Sequence, residues 1–126
     1  MAVADWASLP VDLIGRIADR FLATEDLDHY MDFRAVCSSW RSATADPKAD
    51  PRDPRFRPRR WAMLDEVHRS DARLFVNLDT GRFLRKDLPL LSSRFYLVAS
   101  AAGGLIVLAE RTAPHAARIL NPFTAP

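Results

Sequence analysis

Apolar residues in the first part of the chain recur at helical spacing. Leu13, Ile14, Ile17, Ala18, Phe21 and Leu22 stand at offsets 0, 1, 4, 5, 8 and 9, which lays one stripe along a helix. Asp12, Arg16, Asp19 and Arg20 take the other face, and Asp12 and Arg16 form an i,i+4 pair in the favourable order. Leu9-Pro10 opens the element, because the N–H that proline lacks would be unpaired in a first helical turn. The spacing predicts a helix over about 10–22. A second pattern follows in two sets, Leu27, Tyr30 and Met31, then Phe33, Val36, Cys37 and Trp40. The face shifts between the sets, as a kink or two consecutive helices meeting near Asp32 would produce. Thr24 is placed to cap this second element, and Glu25 and Asp26 suit its positive end. Asp46-Pro47 ends the pattern, since a residue before proline disfavours the helical region.

Residues 47–60 read PKADPRDPRFRPRR, and prolines at 47, 51, 54 and 58 exclude a regular helix or central strand. A stiff, extended connector is expected there. Beyond Trp61 the apolar runs become short. Leu74-Phe75-Val76 and Phe83-Leu84 flank the turn sequence Asp79-Thr80-Gly81. Phe95-Tyr96-Leu97-Val98 and Leu105-Ile106-Val107-Leu108 flank Ala101-Ala102-Gly103-Gly104 as a second hairpin, and Arg118-Ile119-Leu120 is a candidate last strand. The predicted fold is therefore α+β: a three-helix module over 1–46, a Pro/Arg-rich linker over 47–60, and about five short antiparallel strands over 61–126. The chain stops at Pro126 with no obvious closing strand, so the β segment is expected to be incomplete and less stable than the helical module.

Composition narrows the function classes. Of 126 residues, 48% are hydrophobic and 27% charged, which excludes a disordered chain. A helical module of about 45 residues is near the lower limit for folding alone and leans readily on a partner. The net charge of +2 is segregated: residues 1–46 hold four basic and eight acidic side chains, residues 47–60 six and two, and residues 61–126 eight and six. That local basic excess is not the broad basic face of a nucleic-acid binder. The single cysteine, Cys37, excludes an internal disulfide and a cysteine-rich zinc site, and fits a reduced, cytoplasmic or nuclear compartment. His29, His68 and His115 show no ligand spacing, so neither a metal nor another cofactor is expected. The start lacks a signal peptide's apolar core, and the longest uncharged run, Phe95 to Ala109, falls short of a membrane span.

The two helical blocks carry a resemblance. Leu9-Pro10-Val11-Asp12-Leu13-Ile14 with Ile17, followed by Phe33-Arg34-Ala35-Val36-Cys37-Ser38-Ser39-Trp40-Arg41, resembles the F-box in order and spacing. His29 and Tyr30 depart from the Asp-Leu that the family often has a few residues before Phe-Arg. Residues 61–126 resemble the opening of the kelch-like or propeller-like domain of many plant F-box proteins, on Trp61-x-Met63-Leu64, Asp79-Thr80-Gly81, Leu88-Pro89, Gly103-Gly104-Leu105 and Leu120-Asn121-Pro122-Phe123-Thr124. They amount to one blade and a fraction. The resemblance implies an F-box that binds the adaptor subunit of a cullin-RING, SCF-type ubiquitin ligase, and a β segment that recruits an unidentified substrate or is vestigial. It implies no catalytic residue. Leu9, Pro10, Leu13, Ile14 and Ile17 would then present an apolar surface, and Val36, Cys37 and Trp40 would complete it or support it from behind. Periodicity does not divide these residues into core and interface.

The same sequence offers other chemistries. Cys37 reads first as a small buried hydrophobe. Asp79-Thr80-Gly81 is also the tripeptide of aspartic proteases, in which a dimer could share one proton between two carboxylates. The tripeptide is a common hairpin turn, however, and bulky Arg82 follows where that family has a small residue. Residues 52–60 could serve as a nuclear-localisation or nucleic-acid patch. With only Phe56 and Trp61 available for base stacking, a solvated linker is the favoured reading.

Overall fold

The structure, a computed structural model, describes residues 5–64, 72–91 and 94–124. Pro10 stands just outside the first helix, with extended ψ, and its carbonyl accepts from the N–H groups of Leu13 and Ile14. Helix α1 runs Val11–Ala23 and buries Ile14 and Ala18. Thr24 does not cap the second helix. Its hydroxyl donates back to the carbonyl of Arg20, closing α1, and also reaches the Asp26 carboxylate at 2.6 Å. Asp26 precedes helix α2 (Leu27–Arg34) but makes no side-chain cap to it. Helix α2 buries Leu27, Tyr30 and Phe33. The break falls later than Asp32: Ala35 still bonds to the carbonyls of Met31 and Asp32, and the extended backbone of Cys37 then separates α2 from α3 (Ser38–Ser42).

Aromatic contacts fill this helical unit. Phe33 stacks on Trp40 with centroids 4.5 Å apart and lies tilted against Phe21 at 5.8 Å. Such pairs add to the burial that drives folding. The Tyr30 hydroxyl donates to the Ala45 carbonyl, which explains how a tyrosine is accommodated in the core.

The connector is not extended. Asp-Pro-Lys/Arg occurs three times, at Asp46-Pro47-Lys48, Asp50-Pro51-Arg52 and Asp53-Pro54-Arg55. In each, the aspartate Oδ1 accepts the N–H two residues on, at 2.9, 3.0 and 3.0 Å. Proline presets the turn dihedral while the aspartate supplies the acceptor, so the same prolines that forbid a helix build a run of turns. Pro47 and Phe56 are buried, and the Phe56 ring lies 5.5 Å from Tyr30. The first compact unit thus runs through Phe56, and the second begins at Arg57.

The second unit holds two three-stranded antiparallel sheets, each in chain order. The first comprises β1 (Trp61–Leu64), β2 (Ala72–Asn77) and β3 (Phe83–Asp87). The second comprises β4 (Phe95–Ser100), β5 (Ile106–Glu110) and β6 (Ala117–Leu120). Strand β1 was not expected as a strand; the other five coincide with the predicted runs. Asn77 explains the first turn: its buried Oδ1 accepts from the N–H groups of Asp79 and Thr80, and Gly81 takes φ +72°. In the second turn Gly104 has φ +79°, and a Cβ there would lie 2.1 Å from the carbonyl oxygen of Pro58. No other residue type fits that approach. Phe123 lies against Trp61 and Phe75, with centroids at 5.1 and 5.2 Å, and Phe95, Ile106 and Leu108 are also buried. Among the described residues no helix is long and apolar enough to cross a membrane.

Candidate protein-binding surface

The stripe along α1 divides into two parts. Ile14 is 1% exposed and, with Ala18, belongs to the core of the helical unit. The expectation that Ile14 presents a surface is therefore corrected: it lies in the middle of the stripe, where Leu27, Tyr30 and Phe33 of α2 are also buried. Leu13 and Ile17, four residues apart on the flank of the stripe, are 43% and 38% exposed. Pro10 is exposed and Leu9 is half-buried at the start of the helix. Val36 stands 60% exposed in the connection between α2 and α3.

Cys37 and Trp40 have supporting positions. The Cys37 Sγ lies 3.3 Å from the Ser39 hydroxyl. That hydrogen bond, helped by the nearby backbone of Trp40, holds the thiol below its ordinary pKa. Trp40 is half-buried, with its ring on Phe33 and its Nε1 donating to the Trp6 carbonyl at 2.8 Å. Its polar edge is therefore engaged within the unit. Two further apolar residues are exposed: Trp6, which the sequence reading did not single out, and Val11, which it placed in the first motif block but not among the surface residues. Their signal was weak but present: both flank Leu9-Pro10, and neither falls among the six positions of the predicted stripe.

The competing sites fare differently. Asp79-Thr80-Gly81 forms the exposed turn between β2 and β3, and the Asp79 carboxylate faces the Arg60 guanidinium at 3.4 Å. In the basic connector, Arg52 and Arg55 pair with Asp50 and Asp53 at 3.7 and 2.8 Å. Those arginines neutralise local acids more than they build a positive field. Among the described residues no three His, Cys, Asp or Glu side chains gather as metal ligands would. Among its described residues the β unit carries a cleft of about 360 Å³, lined in part by Arg59, Trp61, Met63, Ser100 and Phe123.

Comparison with known proteins finds partial matches. The chain is 41% identical over 63 residues to the Arabidopsis thaliana F-box protein At1g65770, a match that covers 50% of the chain and 16% of that protein. It is 47% identical over 47 residues to the Arabidopsis F-box protein SKIP23, covering 37% of the chain and 11% of that protein. Over these stretches the chain is similar to F-box proteins. A further Arabidopsis F-box protein, At2g17036, is 52% identical over 44 residues, or 35% of the chain and 10% of the relative. The chain thus spans only a small part of the length of the curated relatives it matches. No protein-family profile matches it, and no solved structure does. Of the two motif blocks, the first leaves Val11, Leu13 and Ile17 exposed on α1 while burying Ile14, and the second stacks Phe33 on Trp40.

Proposed function

We propose that the helical unit docks on the adaptor subunit of an SCF-type ubiquitin ligase, and that the β unit carries the substrate-recruiting surface. The observation that carries the first part is the division of the apolar stripe. Ile14, Ala18, Leu27, Tyr30 and Phe33 already fill the core, yet Val11, Leu13, Ile17 and Val36 remain exposed on a unit that ends at Phe56. So many exposed apolar residues on so small a surface favour a protein partner. Burying them would supply the hydrophobic centre of an interface, which the rim of Asp12, Arg16 and Arg20 would surround. In this reading the chain contributes binding and positioning, and makes or breaks no bond itself. Residues 1–56 form the F-box module, with the Asp-Pro turns as its closing segment. The β unit is the opening of a propeller-like domain; two meanders whose strands neighbour in chain order support that assignment.

Calorimetric titration of the full chain with the purified ligase adaptor tests the proposal. Saturable binding that is lost in a Leu13→Asp/Ile17→Asp variant supports it. Absence of binding by a chain whose circular dichroism shows a folded helical unit refutes it.

A further inference from the structure

The turn Trp6–Ser8, ahead of α1, buries none of its side chains. Hydrogen bonds nevertheless hold it from two directions. From α3, the Trp40 Nε1–H donates to the Trp6 carbonyl at 2.8 Å and the Ser39 hydroxyl to the Ala7 carbonyl at 2.7 Å. From within the segment, the Asp5 carboxylate accepts from the Ala7 N–H at 3.1 Å, and the Asp5 carbonyl accepts from the Ser8 hydroxyl at 3.0 Å. The Leu9 N–H returns to the Trp6 carbonyl at 3.3 Å. The Trp6 ring takes no part in these bonds and stands 64% exposed. The chain has three tryptophans. Trp61 is buried, Trp40 is half-buried with its ring on Phe33, and Trp6 faces water.

Apolar residues scattered singly over a surface are ordinary. Trp6 differs from them in its fixed backbone and in its neighbours. A turn without a buried side chain completes no core, so the bonds from α3 serve to hold its backbone in place rather than to fill the interior. A side chain carried on backbone that is already ordered costs a partner less to bind. The turn also joins the two exposed groups of the helical unit. It leads through Leu9-Pro10 into Val11, which is 67% exposed at the start of α1. It bonds to Ser39, three residues beyond Val36, which is 60% exposed. Tryptophan combines a large apolar area with few rotatable bonds, and it is enriched among the residues that dominate binding energy. We infer that Trp6 is an anchor of the docking surface, its indole seated in an apolar pocket of the ligase adaptor, an inference that rests on the docking role proposed for the helical unit. The two parts of the residue then have separate tasks: the carbonyl takes the brace from Trp40, and the ring makes the contact.

The test is calorimetric titration of the full chain, and of its Trp6→Ala and Trp6→Phe variants, with the purified adaptor, beside urea denaturation followed by helical circular dichroism. Trp6→Ala keeps the carbonyl and with it the bond from Trp40, so its urea midpoint should stay at the wild-type value. Its affinity should fall at least about 30-fold, the loss expected of an interface anchor. Trp6→Phe should restore most of that loss. Trp40→Phe breaks the brace and keeps the Trp6 ring, so it should lower midpoint and affinity together. Fluorine NMR of the chain labelled with 5-fluorotryptophan reports the ring itself: the resonance absent from Trp6→Phe should shift when unlabelled adaptor is added. Wild-type affinity in Trp6→Ala overturns the inference, and so does a Trp6 resonance unmoved at saturation. If Trp6→Ala does not fold, that resonance in the wild-type chain decides. The two readings separate cleanly. Adaptor binding indifferent to Trp6→Ala refutes the anchor alone, and no adaptor binding by the folded wild-type chain refutes the docking role and the anchor with it.

Discussion

Ile14 and Leu13 are neighbours in sequence and should behave as opposites. Truncating Ile14 to alanine removes three carbons from a side chain that is 1% exposed. Core truncations of this kind cost about 2–5 kcal/mol, the lost transfer energy plus the cavity left behind. A unit of this size has a stability near the low end of about 5 kcal/mol, so Ile14→Ala should leave a large unfolded population. Leu13→Ala removes a similar volume from a side chain that is 43% exposed, so it should cost below about 1 kcal/mol of stability. Its effect belongs to binding: a leucine at the centre of an interface is worth roughly 1–2 kcal/mol, or about 5- to 30-fold in Kd. Ile17→Ala should follow Leu13→Ala, because Ile17 is similarly exposed on the same flank. Urea denaturation followed by helical circular dichroism measures the first quantity, and calorimetry with the adaptor measures the second. If Leu13→Ala unfolds the chain as readily as Ile14→Ala, the division of the stripe is wrong. If it leaves both stability and affinity unchanged, α1 is not the docking element.

Gly104→Ala should destabilise the β unit by more than about 2 kcal/mol, since it adds a Cβ 2.1 Å from the Pro58 carbonyl oxygen at φ +79°; an unchanged thermal midpoint would contradict this. Trp40→Phe keeps the ring against Phe33 but removes the hydrogen bond to Trp6, so a loss of about 0.5–1.5 kcal/mol is expected in urea denaturation. The Arg55 guanidinium, bonded to Asp53 at 2.8 Å, holds the Asp53 carboxyl below the usual carboxylate range. Because the folded value is depressed, the pair's contribution is present above the unfolded value and is lost as pH falls through the folded one. Arg55→Gln should therefore raise the Asp53 midpoint toward the ordinary range in an NMR titration, and an unmoved midpoint would show that backbone bonds alone set it.

Helix α1 and five of the six strands were legible because one periodicity dominates each. The stripe at Leu13–Leu22 has period 3.6, and the turns at Gly81 and Gly103-Gly104 require φ > 0, which glycine advertises. What stayed hidden depends on partners distant in sequence or on competition for one group. Thr24 is an equally good cap for either flanking helix, and the bond to Arg20 decides the matter. The connector was misread because proline forbids helix without saying what replaces it; the aspartate before each of Pro47, Pro51 and Pro54 was the overlooked signal. Division of the α1 stripe into core and flank was illegible in principle, since α2 decides which of its positions are covered.

The two motif blocks that resemble the F-box stand apart in sequence, and the structure ties the second to the start of the first. Apart from exposed Val36, the second block acts within the unit. Its Trp40 donates to the Trp6 carbonyl and its Ser39 hydroxyl to the Ala7 carbonyl at 2.7 Å, so α3 holds the segment that leads into Leu9-Pro10. Its Phe33 is buried against the Trp40 ring, which fixes the donor. Its Arg34 reaches the Thr44 hydroxyl at 3.1 Å and the Asp46 carboxylate at 3.8 Å, tying the end of the helices to the first Asp-Pro turn. An unbraced lead-in would leave the start of α1 free to fray, because Pro10 supplies no side-chain cap there. The exposed flank at Leu13 begins one turn later and would lose its preorganisation with it. A substitution at Phe33, Ser39 or Trp40 should therefore weaken docking without any change at the contact surface, by raising the cost of ordering the first block.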